Sequence, residues 1–213
     1  MARTYEGILG GFQGKVGTVV GGNWRGVEFI RSKGRRRKGG VTPAQEVQRA
    51  KFALVQSFLR TMNPLLQVSF NNFSQKMTGP NHALAYTLKH AVAGTYPNLR
   101  LHYPSVLVSR GSNLTDAYNA TATAGPDATV QFTWEDNTGV GTAKAGDRSI
   151  LVVHCPQRMQ TMYTVDGPPR SAGSGSLRVH FFRGMELHTW LSFLSENGTD
   201  AATSVYTGSL TVS

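Results

Sequence analysis

Thr129-Val-Gln-Phe-Thr-Trp134 and Ser149-Ile-Leu-Val-Val-His154, with the turn-forming Asp136-Asn-Thr-Gly139 between them, are the stretch on which the fold class depends. Each run is short, carries β-branched and aromatic residues, and is bounded by Gly, Asn and Asp, so each reads as a β-strand. The same texture extends in both directions. Further strands are predicted at residues 105–109, 162–165, 177–182, 189–195 and 204–211. Gly125-Pro-Asp127, Asp166-Gly-Pro-Pro169 and Ser195-Glu-Asn-Gly198 mark the turns. About seven short strands over roughly 110 residues is the pattern of an antiparallel, immunoglobulin-like β-sandwich. Trp134 is a candidate core tryptophan. The single cysteine, Cys155, excludes a disulfide framework and any all-cysteine zinc site. Pro169–Ser176 (PRSAGSGS) reads as a flexible loop by composition.

Upstream of the strands the periodicity is helical. Thr42-Pro43-Ala44-Gln45 places Thr at an N-cap, Pro at the first helical position and Gln at the capping-box position. Val47, Ala50, Leu54, Val55, Phe58, Leu59 and Met62 then form the stripe of an amphipathic helix. Asn63-Pro64 breaks or restarts it, Leu65, Leu66, Val68, Phe70 and Phe73 extend the apolar face, and residues 82–93 read as another helix stopped by Gly94. The first 41 residues hold 11 of the 24 glycines. There, two apolar runs, 15–20 and 27–31, flank Gly-Gly-Asn-Trp-Arg-Gly as a β-hairpin with a glycine-rich turn. Glycine at this density leaves little surface to pack, so the hairpin is expected to be ordered by a neighbour. The expected architecture is α+β: a Gly-rich hairpin and basic arm (1–41), a helical unit (42–100) and a β-sandwich (101–213).

The 213 residues carry a net charge of +10, unevenly placed. Residues 1–110 hold 16 basic against 3 acidic side chains, a balance of +13, while residues 111–213 hold 6 against 9, a balance of −3. Six positive charges, Arg31, Lys33, Arg35, Arg36, Arg37 and Lys38, fall in eight positions. Like charges this close repel within a compact fold, so the run reads as an exposed arm able to bind an anionic polymer by counterion release, or as a solvated linker. Trp24, Phe29 and Tyr5 are near enough in sequence to stack on bases. No run of 18 apolar residues predicts a membrane-spanning helix, and MARTYEGILGGF lacks the pattern of a secretory signal, so synthesis in the cytoplasm is expected. The Asn-x-Ser/Thr triplets at Asn113, Asn119 and Asn197 matter only in a secretory pathway.

No catalytic constellation emerges. Gly10–Thr18 lacks the glycine spacing of a phosphate-binding loop, and Val16 stands where that loop needs Ser or Thr. His154 and Cys155 are adjacent and so point to opposite faces of a strand, and His82 and His90 lie two helical turns apart. His180 and His188 fall in different predicted strands. Gly173-Ser-Gly-Ser-Leu does not precede a helix as a nucleophile elbow must, Cys155 before Pro156 reads as a buried small hydrophobe, and Glu135-Asp136 opens a turn. No metal, cofactor or small-molecule substrate is expected.

The opening Ala2–Gly26, together with Gln48-Arg-Ala-Lys-Phe-Ala-Leu-Val55, Lys89-His-Ala-Val-Ala-Gly-Thr-Tyr-Pro-Asn98, Phe132-Thr-Trp-Glu-Asp-Asn137 and Ser204-Val-Tyr-Thr-Gly208, resembles an uncharacterised protein family common in Bacteroidota. The resemblance covers most of the chain. It implies a helical N-terminal half and a β-sandwich C-terminal half, brings no catalytic residues, and places Arg35–Lys38 in a variable linker.

These readings converge on a non-enzymatic, self-assembling structural protein, such as a virion or prophage-encoded shell, tube or filament subunit. Its contacts between copies are expected at Val16, Val19, Val20, Trp24, Val27 and Phe29, by addition of strands to a neighbouring sheet. Its arm, Arg31 to Lys38, is expected to face an anionic partner. The alternative is a host protein that binds nucleic acid through that arm, without sequence specificity.

Overall fold

The run Ile150-Leu-Val-Val153 offers water no polar side chain, and the structure buries it on both faces. It lies at the centre of the larger of two compact units, Pro43–Ser213; the smaller is Met1–Thr42. The structure is a computed structural model that describes residues 3–4, 11–24, 26–34, 40–71 and 77–213.

In the smaller unit, β1 (Arg3–Thr4), β2 (Phe12–Val16), β3 (Val19–Trp24) and β4 (Val27–Ser32) form an antiparallel sheet in that order. The run 15–20, read from sequence as one strand, is two: Gly17, at φ +56°, turns the chain between β2 and β3. The predicted hairpin is therefore part of a four-stranded meander. A two-residue turn requires backbone in the left-handed region, which glycine enters without a Cβ clash.

In the larger unit, α1 (Pro43–Leu59), α2 (Asn63–Ser69) and α3 (Gly79–His90) precede a short hairpin of β5 (Val92–Ala93) and β6 (Arg100–Leu101). The helix expected to run to residue 93 ends at His90. Gly94, at φ +88°, serves the β5–β6 turn and not a helix terminus. Seven strands follow: β7 (Tyr118–Gly125), β8 (Thr129–Glu135), β9 (Arg148–Cys155), β10 (Gln160–Thr164), β11 (Ser174–Arg178), β12 (Glu186–Leu194) and β13 (Val205–Thr211). They form antiparallel sheets of order β10-β9-β12-β13 and β11-β8-β7. The fold is α+β, as the sequence indicates. Residues 105–109 are not a strand: Tyr103–Ser105 is a single 3-10 turn, and Val106 and Val108 then run through the core as irregular chain. The strand expected at 177–182 is displaced: β11 runs Ser174–Arg178, so only Leu177 and Arg178 of that stretch are in a strand, and His180–Phe182 is a 3-10 turn.

Two cores explain the stacking. Between the sheets lie Val130, Phe132 and Trp134 of β8, Leu151, Val153 and Cys155 of β9, and Leu187, Leu191 and Phe193 of β12. The other face of the four-stranded sheet, with Ile150, Val152 and Trp190, packs against Val55, Phe58, Leu59, Met62, Leu65 and Leu66 of the helical segment. Alternation along a strand sends neighbours to opposite faces, so the centre of β9, Ile150–Val153, is apolar at every position because both faces are covered. Trp190 is completely buried, and its Nε1 donates to the Val106 carbonyl at 3.1 Å. The change of texture near residue 100 is thus no boundary between cores, because the helices cover the sheet that follows them. Among the described residues, no helix is long and apolar enough to cross a membrane.

Candidate interface on the N-terminal sheet

Every residue predicted to make contacts between copies lies on the β2–β4 sheet. Register assigns each to a face. Lys15 pairs with Val20, Val20 with Arg31, Gly22 with Phe29, and Trp24 with Val27. Paired residues share a face, and alternate residues along a strand return to it. One face therefore presents Lys15, Val20 and Arg31 as a row, then Phe29 over Gly22, then Trp24 beside Val27. A Cβ at Gly22 would meet the Phe29 ring at 2.7 Å, so glycine is what lets the ring lie down on β3. The opposite face carries Phe12, Val16, Val19, Gly21 and Ile30, with Gly21 close against Phe12.

Both faces hold large apolar side chains in the open. Exposure is 51% for Val16, 56% for Trp24, 67% for Val27, 43% for Phe29 and 66% for Ile30, while Val19 and Val20 are half-buried. Ile30 was not among the predicted contacts, although its β-branched position opposite Gly21 marks it equally. Of the basic residues, Arg31 is exposed on the aromatic face. Lys33 is also exposed, and its backbone N–H donates to the Thr18 carbonyl at 2.7 Å. Arg35, Arg36, Arg37 and Lys38, like Tyr5, lie outside the described residues.

The larger unit holds the buried titratable groups. His154 and Cys155 do face opposite ways: the His154 ring meets Phe58 edge-on at 4.7 Å on the helical side, and the Cys155 Sγ lies 3.5 Å from the Met185 sulfur in the inter-sheet core. Burial pulls the His154 pKa down to about 4, helped by neighbouring His188. Its Nδ1 is 2.9 Å from the Thr161 hydroxyl, which lies beside that of Thr61, but its Nε2 is buried without a partner. Among the described residues, no carboxylate is recorded in a hydrogen bond to the ring, as nucleophilic triads require. His188 stacks on Tyr103 at 3.8 Å, and its Nδ1 lies 2.9 Å from the Tyr206 hydroxyl. Burial lowers the His188 pKa and raises that of Tyr103.

Sequence reasoning missed the polar centre of this unit. Arg170, inside the stretch read as a flexible loop, is fully buried in a 3-10 turn that leads into β11. Its Nε donates to Asp147 Oδ2 at 3.1 Å, its Nη1 to Asn137 Oδ1 at 2.7 Å and its Nη2 to the Thr115 carbonyl at 3.0 Å. Its guanidinium lies 3.8 Å over the Phe193 ring, and the Arg170 carbonyl accepts from Trp134 Nε1 at 2.7 Å. Trp134 is the core tryptophan expected, held from the segment expected to be loose. Among the described residues, no three His, Cys, Asp or Glu side chains come together to hold a metal ion.

No curated protein matches the chain. Among solved structures, the chain is similar to the solution structure of the fn3 domain of human collagen alpha-1(XX) chain, at 10% identity. That likeness covers 49% of this chain and 90% of that one, with a TM-score of 0.35. A family model described as a family of unknown function matches residues 11–208, and the chain therefore belongs to that family, DUF6266.

Proposed function

We propose that the protein is a non-enzymatic structural subunit that assembles with further copies of itself through its N-terminal sheet, as a shell, tube or filament subunit of a virion or prophage-encoded particle would. The observation that carries this reading is the exposure of Val16, Trp24, Val27, Phe29 and Ile30 on the two faces of one thin sheet. A large apolar side chain gains about 1.5–3 kcal/mol on full burial, so covering the exposed halves of Trp24, Val27 and Phe29 is worth roughly 3 kcal/mol on that face. A second copy offers the same surface and supplies that cover. Deleting residues 1–42 tests it by light scattering after size exclusion and by negative-stain microscopy. A monomer is the expected product, and large assemblies that persist would overturn the reading.

The row Lys15–Val20–Arg31 favours a second reading. Two cations share a face with Phe29 and Trp24, a combination suited to a single-stranded nucleic acid whose phosphates pair with the cations while its bases stack. Binding to an oligonucleotide, followed by fluorescence anisotropy, should weaken steeply with salt. Replacing Arg35, Arg36 and Arg37 together by alanine should flatten the log–log salt slope by about 2. Salt-insensitive binding, or none, excludes this reading and leaves the first intact.

A further inference from the structure

The N-terminal sheet ends at β4, which among the described residues has a strand on one side only. All of its residues, Val27–Ser32, are exposed, and they pair with β3 in unbroken register. Neither a bulge nor a proline closes this edge to another chain. The direction of its backbone groups follows from one hydrogen bond. The Lys33 N–H donates to the Thr18 carbonyl at 2.7 Å, one step beyond the Val19–Ser32 pair, so residue 33 directs its backbone groups at β3. Bonded and non-bonded pairs alternate along an antiparallel ladder. Val27, Phe29 and Arg31 accordingly bond to β3, and Glu28, Ile30 and Ser32 turn their N–H and C=O groups out to the open edge.

We propose, resting on the reading that copies associate through the N-terminal sheet, that β4 pairs antiparallel with β4 of a second copy about a two-fold axis beside Ile30, which joins two four-stranded sheets into one. A two-fold contact pairs residue i with j and j with i, and paired residues share a face. The axis must therefore fall beside one residue and not between two. Of the interior positions of the strand, an axis at Glu28 sets two carboxylates opposite each other, and one at Arg31 sets two guanidiniums. An axis at Phe29 leaves Ser32 opposite Gly26, whose N–H already donates to the Asn23 side chain at 3.0 Å. At Ile30 all the outward residues find partners: Ile30 meets Ile30, and Glu28 meets Ser32 in both directions. Each such pair exchanges two hydrogen bonds, about six in all. The same register sets Arg31 of each copy beside Phe29 of the other, a cation next to an aromatic ring. On the opposite face the exposed Ile30 side chain covers its own counterpart. A second copy is thus an occupant whose charges and hydrogen-bonding groups match the edge.

The test uses the full chain over a range of concentrations, followed by light scattering after size exclusion. Ile30→Pro removes an N–H that points out of the sheet, which an edge strand tolerates, and leaves the ladder to β3 intact. Ile30→Ala loses the same side chain but keeps the N–H. The proline variant should associate more weakly than the alanine variant by about tenfold or more. Single cysteines, Glu28→Cys, Phe29→Cys, Ile30→Cys and Arg31→Cys, oxidised with glutathione disulfide, should link copies fastest at position 30, because the residue on the axis meets itself. Cys155, buried in the inter-sheet core, stays out of the reaction. Linking fastest at 28, 29 or 31, or a proline variant that associates as strongly as the alanine variant while the parent still assembles, would overturn this contact and leave the wider reading standing. A parent that is monomeric at every concentration would overturn both.

Discussion

Replacing Arg170 by methionine removes a cation that has no water around it. The side chain is fully buried, donates to Asp147, Asn137 and the Thr115 carbonyl, and lies over Phe193. Burial alone would pull its pKa down, and Asp147 pushes it back up. Methionine fills much of the volume but leaves the Asp147 carboxylate buried with the Lys144 N–H as a donor and no counter-charge. Breaking one side of such a pair costs about 3–5 kcal/mol. With a urea slope of about 2–3 kcal/mol/M, the unfolding midpoint should fall by roughly 1.5 M. In a Trp24→Phe background, tryptophan fluorescence reports Trp134 and Trp190 alone, so the transition followed is that of the larger unit. Adding Asp147→Leu to Arg170→Met removes the stranded charge and should restore at least half of the loss. A single variant within about 1 kcal/mol of the parent, or a double variant no better than the single, would refute the view that this ion pair organises the sandwich end.

Acid should destabilise the larger unit before its carboxylates titrate. The folded-state pKa of His154 is about 4 against an ordinary 6.5, so the unfolded chain takes up the proton first and stability is lost as pH falls through that window. Between pH 7.5 and 5 the loss from His154 is about 2 kcal/mol, or a melting temperature lower by roughly 5 °C, with half-buried His188 adding in the same direction. His154→Asn keeps a partner for Thr161 and should flatten this dependence; an unchanged pH profile would count against it. Gly21→Val places a side chain against the Phe12 carbonyl and ring, so it should unpair β2 from β3 and raise amide exchange there, while the melting of the larger unit stays unchanged.

Local pattern made much of the chain legible. The stripe from Val47 to Met62 becomes α1 and the turn after it, and its later members Val55, Phe58, Leu59 and Met62 are buried. The runs around Phe132, Val152 and Phe193 are strands because they carry their own hydrophobic signal. Tyr118–Gly125 went unread because Tyr-Asn-Ala-Thr-Ala-Thr-Ala-Gly has small and polar side chains. It is an edge strand of the smaller sheet, where Ala120 and Ala122 reach the core. The proposed contact face was legible in residue type but not in layout. Val16, Trp24 and Phe29 stand out in any reading, but only the register divides them between two faces and places Arg31 in the row with Lys15.

By itself, the amino-acid order determined the helix after Thr42, the strands with apolar runs and the separation of a strongly basic first half from a mildly acidic second half, since each depends on neighbours within a few residues. The tertiary structure decided what depends on distant residues. It places helices over the outer face of β9, and it closes Pro169–Ser176 around a buried arginine. It also leaves one oxygen of Asp147 facing no donor. A loop of Pro, Ser and Gly looks solvated when read along the chain. Its arginine is buried because Asp147, Asn137 and Phe193, brought from three other segments, together replace the water it gives up.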